Sequence, residues 1–196
     1  MSVPTRLIAL SGSTRRESYN RRLVRIAGEG ASRAGGEIHL VDLNDFELPL
    51  YHADHEAEHG MPKGAAAFKE LCVAADGYLI AAPEYNGSLP AALKNAIDWL
   101  SRPGPGETEL SHTAFRGKVA GIMSASPGAW GGVRGLAHLR QILAGLNVLV
   151  TAEQIALPAA QIAFDEHGRL KNATFQTLTE SIGARTVHLA RVLKNP

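Results

Sequence analysis

A short polar segment near the N-terminus has the composition of an anion-binding loop. The apolar run 6–10 ends at Ser11, and residues 11–20 contain three serines, a threonine, two arginines and an asparagine. A helical pattern follows at once, and the first turn of a helix presents unpaired N–H groups and a positive dipole end. The hydroxyls of Ser13 and Ser18, the amide of Asn20 and the guanidinium of Arg15 would add donors around the three oxygens of a phosphomonoester. The segment therefore predicts a monophosphate site.

Two other phosphate-binding motifs are excluded by the same residues. A P-loop requires G-x-x-x-x-G-K-[ST], and no lysine follows here. The dinucleotide fingerprint G-x-G-x-x-G requires three glycines, and this segment contains only Gly12. One alternative stays open, namely a solvated loop in which Ser18 or Asn20 simply caps the next helix.

A second unusual segment is APEYNGSLPAALKNAIDWLSR, residues 82–102. Pro83 cannot extend a strand ladder, and Asn86-Gly87 is a strong turn signal, so the chain breaks sharply after an apolar strand. We expect this break to expose the N–H groups of Glu84, Tyr85 and Asn86 beside the aromatic face of Tyr85. Such a loop suits a planar heterocycle with carbonyl and ring-nitrogen acceptors.

The elements that carry these loops alternate along the chain. Apolar runs predict strands at 6–10, 37–43, 77–83, 118–126 and 147–150, and helical periodicity predicts helices at 20–34, 62–75, 88–101, 132–146 and 174–193. Residues 44–60 read as a polar stretch, 103–113 as a surface loop and 164–170 as a turn. Continuously apolar strands are typical of a parallel sheet covered on both faces. The pattern predicts a flavodoxin-like three-layer α/β sandwich with sheet order 2-1-3-4-5, whose ligands bind in the loops after strands 1, 3 and 4.

Three motifs carry a resemblance to a known family. GSTRRESYN, PEYNGSLPAALKNAIDWLSR and SASPGAWGG resemble those of the NADPH-dependent FMN reductases, which include quinone, azo-dye and chromate reductases. The resemblance covers nearly the whole chain, down to FDEHGRLKN before the last helix, although the loop 103–113 is longer than expected. It implies a single flavodoxin-like FMN-binding domain over residues 1–196.

The resemblance also implies site residues in each of the three loops. The first loop would hold the FMN phosphate, the second would border the isoalloxazine ring, and the third would meet the other edge of the flavin. The residues are, in that order, Ser13, Arg15, Ser18 and Asn20; Pro83, Glu84, Tyr85 and Asn86; and Ser124, Ser126 and Gly128.

The implied activity is an FMN-dependent NAD(P)H oxidoreductase. Hydride would pass from NADPH or NADH through FMN to quinones or similar acceptors such as azo dyes, chromate or free flavin. Since the cofactor carries the chemistry, no catalytic acid, base or nucleophile is assigned, and Glu84 is expected to cap its own loop or face solvent. The alternative is a non-enzymatic flavodoxin-type electron carrier or redox-sensing flavin-binding module. The formal net charge of +1 argues against a carrier, because carriers usually dock through acidic patches.

A glycine-rich segment, residues 128–135, allows two interpretations. It is either a flexible wall where the nicotinamide docks, with Arg134 contacting the 2′-phosphate of NADPH, or a simple turn with Trp130 packed.

The remaining features of the sequence concern binding partners, membrane spans, location and metal binding. Net charge near zero predicts no nucleic-acid partner, and the lack of any apolar run near ~20 residues predicts no membrane span. The single cysteine, Cys72, is expected to be buried and fits a cytoplasmic location. His52, His55 and His59 have helical spacing, but their polar surroundings favour a solvated loop over a metal site. The resemblance further implies a homodimer or homotetramer.

Overall fold

Five strands form one parallel sheet in the order β2-β1-β3-β4-β5. The structure is a computed structural model that describes residues 4–104, 106–108 and 110–194. The strand bounds are β1 (Thr5–Ser11), β2 (Gly36–Val41), β3 (Gly77–Ala81), β4 (Val119–Ala125) and β5 (Leu149–Leu157). The sheet order and the flavodoxin-like class predicted from the sequence are confirmed.

Helices cover both faces of the sheet. Their bounds are α1 (Tyr19–Arg33), α2 (Ala53–His59), α3 (Lys63–Ala74), α4 (Ala91–Leu100), α5 (Val133–Gly145), α6 (Ala160–Ala163) and α7 (Ala173–Lys194), with a 3₁₀ turn at Leu43–Asp45. Helices α1 and α7 share one apolar core with the sheet, and α3, α4 and α5 share the other. None of the helices in the described ranges combines the length and apolar character that crossing a membrane requires.

The central strands alternate their side chains between these two cores. In β1, Leu7 and Ala9 pack with α1 and α7, whereas Ile8 and Leu10 pack on the opposite side. Successive side chains of a strand point to opposite faces, so a strand that is buried on both faces must be apolar at every position. This is why the apolar runs located β1, β3 and β4 well.

Helices α1 and α7 approach each other at glycines. A Cβ atom added to Gly183 would overlap the carbonyl oxygen of Ala27, and one added to Gly30 would overlap that of Glu180. The absence of side chains at these two positions permits the close packing of the helix pair that backs the sheet.

Two parts of the chain differ from the sequence prediction. Residues 44–60 contain helix α2, which has no buried residue and therefore no apolar stripe to reveal it. The Glu56 carboxylate fastens α2, because it accepts hydrogen bonds from the Tyr51 hydroxyl and the Arg102 guanidinium. Strand β5 begins later than predicted and extends to Leu157. It lies at the sheet edge, where its exposed polar residues Glu153 and Gln154 obscured the apolar pattern.

Candidate functional site

The loops after β1, β3 and β4 meet at the carboxyl edge of the sheet and enclose a cleft of about 250 Å³. Parallel strands place their carboxyl ends at one edge, so segments more than 100 residues apart in sequence converge there. The cleft is lined by Ser13, Arg15, Ser18, Tyr19, Asn20, Pro83, Glu84, Tyr85, Ala125, Ser126 and Pro127. Of the site residues predicted from the sequence, Asn86, Ser124 and Gly128 do not line it.

The first loop supplies unused hydrogen-bonding groups at the start of α1. Ser18 is the N-cap residue of α1, but its buried side chain makes no capping hydrogen bond to the helix. The Ser13 hydroxyl accepts from the Arg15 N–H at 3.3 Å, and the Arg15 guanidinium lies 5.0 Å from the centre of the Tyr19 ring. The first turn of α1 contains no acidic residue. Hydroxyls, a guanidinium and a helix N-terminus together form a donor set that fits a phosphate.

Asn20 connects the first loop to the end of β4. Its amide donates to the Ala125 carbonyl at 2.8 Å, and its amide oxygen accepts from the Ala125 N–H at 2.9 Å. The sequence predicted Asn20 as a donor to the anion. In the structure both polar atoms of this buried side chain hold the backbone from which the third loop begins.

The Glu84 carboxylate caps helix α5. It accepts hydrogen bonds from the Arg134 N–H at 2.9 Å, the Gly135 N–H at 3.1 Å and the Arg134 guanidinium. Its side chain is only 7% exposed, so the expectation that Glu84 caps its own loop or faces solvent was wrong. Desolvation raises the pKa of Glu84, but the hydrogen bonds from Arg134 and Gly135 outweigh it and lower the pKa below the usual value.

The second loop closes as a tight turn. The Tyr85 N–H donates to the Ser88 carbonyl at 2.9 Å, and the Ser88 N–H donates back to the Tyr85 carbonyl at 3.1 Å. Asn86 and Gly87 have φ values of 52° and 78°, as Asn-Gly turns require. The prediction of three exposed N–H groups was therefore wrong for Tyr85. Within the described part of the chain, the N–H groups of Glu84 and Asn86 make no hydrogen bond, and the Tyr85 side chain is 53% exposed.

The third loop contributes Ser126 to the cleft but not Ser124. The Ser126 N–H donates to the Leu157 carbonyl at 3.0 Å, and its hydroxyl accepts from the exposed Gly128 at 3.2 Å. Ser124 is fully buried beneath Gly132, and its hydroxyl has no hydrogen-bond partner among the described residues. Ser124 therefore lies within β4 under the loop and not in the cleft wall, and its contact with the flavin edge stays a prediction.

The glycine-rich segment 128–135 lies near the cleft, and its structure fits neither the packed turn nor the NADPH-contacting wall completely. Trp130 is 72% exposed, which contradicts the packed turn. Arg134 is paired with Glu84, so its charge is already balanced before any phosphate approaches.

Cys72 and the histidines of α2 lie outside the cleft. Cys72 is buried as predicted, and desolvation raises the pKa of its thiol to about 12. His52 caps α2 by accepting from the His55 N–H at 3.4 Å, and the His55 and His59 rings stack 4.5 Å apart. No group of residues suited to holding a metal ion occurs in the described parts of the chain.

The sequence analysis missed Tyr19, Ala125 and Pro127 in the cleft wall, and Ala125 reads simply as the apolar end of a strand. Tyr19 directly follows Ser18, and an aromatic residue beside an anion-binding loop was the available signal. Pro127 gave no separate signal, since a proline after a strand reads as a simple break.

Fold and site together define a flavodoxin-like protein with a cleft at the switch point between β1 and β3, where proteins of this fold bind their ligands. The family model for NADPH-dependent FMN reductases matches residues 5–161. The chain belongs to this family.

Known relatives agree with that assignment. An NAD(P)H-dependent FMN reductase of Pseudomonas aeruginosa is 40% identical over 171 residues, which are 87% of this chain and 86% of the relative. A quinone reductase of Escherichia coli K12 is 39% identical over 150 residues, 76% of this chain and 75% of the relative. Among solved structures, the flavoenzyme FerB, an NAD(P)H:acceptor oxidoreductase from Paracoccus denitrificans, superposes with a TM-score of 0.79 at 26% identity. That match covers 97% of this chain and 98% of FerB.

Proposed function

We propose that this protein is an FMN-dependent NAD(P)H oxidoreductase that reduces quinones or similar small electron acceptors. The observation that carries the proposal is one cleft containing both a phosphate-binding helix start and an aromatic turn, in a chain of the FMN reductase family. The activities of the relatives, FMN reductase and quinone reductase, support it.

The residues of the cleft fit FMN by their chemistry. Ser13, Ser18 and Arg15 would hold the phosphate, because the Ser18 hydroxyl is not used by its own helix and Arg15 brings a positive charge. Pro83, Glu84, Tyr85 and Asn86 would border the ring through the turn that they form, with Ser126 on the facing wall. When bound, FMN supplies a two-electron centre that accepts a hydride from NAD(P)H and passes it on.

The protein itself orients the cofactor and stabilises charge. Backbone N–H groups at Glu84 and Asn86 have no partner in the described chain and would donate to the electron-rich edge of the ring. Glu84 holds this turn against α5, which keeps those donors in place. Asn20 holds the base of the third loop, and the exposed Trp130 and Tyr85 would flank the open face where a donor or acceptor docks.

Several finer properties are part of the proposal. The whole chain would act as a single FMN-binding domain in the cytoplasm, as its one buried cysteine suits. It would form a homodimer or homotetramer, with either NADPH or NADH as the hydride donor. Its acceptor would be a small molecule chosen by access to the ring face.

One experiment separates this proposal from its rival. We expect the purified protein to be yellow, to bleach with NADPH under nitrogen, and to recover its colour with menadione. A yellow protein that neither NADPH nor NADH reduces would instead be a flavodoxin-type carrier or redox-sensing module. A colourless protein that refuses added FMN would contradict both.

A further inference from the structure

A second and larger cavity adjoins the cleft on the side of α4 and α5. Its volume is about 810 Å³, and Tyr85 lines both the cleft and this cavity. The wall is mainly apolar, with Leu89, Ala91 and Ile142, and it also contains Asn86, Ser88, Lys94, His138 and Gln141. An apolar cavity beside Tyr85 is suited to an aromatic molecule that approaches the ring from this side.

The polar side chains of this wall differ in their freedom to act on such a molecule. The Lys94 ammonium is held by the Asp98 carboxylate at 2.6 and 2.8 Å, so its charge is already balanced. The His138 ring is fixed through Nδ1, which lies 2.9 Å from the Ser88 hydroxyl. In the described chain, Nε2 of His138 makes no hydrogen bond and is therefore available to a molecule in the cavity.

Quinone reduction creates a need for a proton donor. A quinone that receives a hydride gains two electrons and one proton, and its second oxygen becomes an anion unless another proton arrives. An imidazolium supplies that proton when its N–H bond breaks and the O–H bond of the hydroquinone forms. Histidine is the side chain that exchanges protons most readily near neutral pH.

We propose that His138 is the catalytic acid that protonates the acceptor oxygen from Nε2, with Ser88 as its positioning residue. The neutral imidazole then regains a proton from solvent, since His138 is exposed. The inference rests on the proposed function and takes quinones as the acceptor class. Among charged groups, Lys94 of α4, paired with Asp98, shares the cavity wall with His138, and Arg134, paired with Glu84 of the second loop, lies one turn earlier along α5.

The test compares His138→Gln with the matched control His167→Gln, an exposed histidine in the turn 164–170. We expect His138→Gln to slow reoxidation of the reduced enzyme by menadione about tenfold to a hundredfold. Reoxidation by ferricyanide, which takes electrons without protons, should not change. In the wild type the menadione rate should fall as pH rises and the imidazolium loses its proton. In His138→Gln that fall should disappear, and Ser88→Ala should give an intermediate rate.

A binding measurement provides a readout that does not depend on turnover. The oxidised FMN-loaded enzyme cannot reduce menadione, so menadione can be added to it without turnover. We expect added menadione to shift the NMR signals of the His138 ring. Those signals are assigned by their absence from the spectrum of His138→Gln. An unchanged His138 signal, or equal slowing with menadione and ferricyanide, would overturn the inference. A change of oligomeric state in His138→Gln would also overturn it, by placing the residue in an interface. Failure to bind FMN would contradict the proposed function itself.

Discussion

Arg15 and Arg16 are neighbours in sequence with different surroundings in the structure. Arg15 lines the cleft and lies over the Tyr19 ring, whereas Arg16 is exposed and is absent from the cleft wall. The pair therefore offers a natural test of where the phosphate binds, because both substitutions remove one positive charge from the same loop.

We predict that Arg15→Ala weakens FMN binding by about tenfold or more, which corresponds to the loss of one charge-assisted hydrogen bond. Turnover of the fully FMN-loaded variant should change little. Equilibrium titration of the apoprotein with FMN, followed by flavin fluorescence, measures the affinity. Arg16→Ala is the control and should bind like the wild type. Normal affinity with reduced turnover in Arg15→Ala would show that the phosphate lies elsewhere.

Arg134 gives a second prediction at the scale of the residue. Because its guanidinium is paired with Glu84, we expect Arg134→Ala to leave the preference for NADPH over NADH unchanged. The same variant should lower the free energy of unfolding by about 1 kcal/mol, since a charge-assisted hydrogen bond is lost. Steady-state kinetics with both donors and urea unfolding measure the two effects. A selective loss of NADPH use would assign Arg134 to the 2′-phosphate after all.

At the scale of the element, the start of α5 depends on contacts from other parts of the chain. Its N-cap residue, Gly132, has a φ of 91° and offers no side chain, so Glu84 caps the helix instead. A Cβ at Gly132 would overlap the Ser124 hydroxyl directly beneath it. The turn that borders the cleft and the helix behind it thus form one unit.

We predict that Gly132→Ala lowers the free energy of unfolding by about 2 kcal/mol, because alanine is strained at this φ and collides with Ser124. FMN binding should weaken in parallel, since the third loop must move. The control is Gly145→Ala at the other end of α5, where a Cβ meets nothing within 4 Å. That variant should be neutral or slightly stabilising. Urea unfolding of the two proteins provides the comparison, and equal stabilities would contradict the role given to Gly132.

At the scale of the whole molecule, an ion pair between the buried Lys69 and the partly buried Glu107 fastens the long loop after α4 to α3. The Lys69 ammonium contacts the Glu107 carboxylate at 2.6 Å and the Arg102 carbonyl at 2.5 Å. Desolvation raises the pKa of Glu107, but hydrogen bonds from Lys69, Thr113 and Gly104 outweigh it and lower the pKa to about 2. The Glu180 pKa is also lowered, chiefly by hydrogen bonds from Gln176 and Arg33.

These shifts predict the acid stability of the protein. A carboxyl group whose pKa is lower in the folded state contributes stability above its unfolded pKa of 4.5, and that stability is lost as pH falls toward about 2. We expect the thermal midpoint to drop steeply across this range. Glu107→Ala should reduce stability at pH 7 by about 3 kcal/mol, because it leaves the Lys69 ammonium buried without its partner. Glu107→Ala should also make the thermal midpoint depend less on pH between pH 4.5 and pH 2.

The control for this loop is Glu58→Ala, since Glu58 is exposed and lies outside it. Calorimetric scans of both variants between pH 7 and pH 2 give the comparison. An acid dependence in Glu107→Ala identical to that of the wild type would contradict the assignment.

Local sequence patterns were sufficient to predict the sheet order and most of the residues that line the cleft. Apolar runs located the central strands because those strands are buried on both faces. Ser13, Arg15, Ser18 and Tyr85 were predicted together, and they line one cleft, because they lie in the loops that follow β1 and β3. Glu84 was misjudged because its partners, Arg134 and Gly135, lie 50 and 51 residues away. Ser124 and Ser126 are two residues apart, so the alternation of a strand would place both side chains on the same face. Only the structure shows that Gly132 covers Ser124. Helix α2 and the length of β5 were missed because both are largely exposed.

The paired hydrogen bonds between Asn20 and Ala125 have a consequence for the exchange of the cofactor. They join segments 105 residues apart using protein atoms alone, so the distance between the first loop and the third loop is set when the chain folds. The ordering entropy of these loops is then largely lost before FMN arrives. Apoprotein should therefore be reconstituted by simple mixing with FMN, at a rate governed by encounter rather than by refolding.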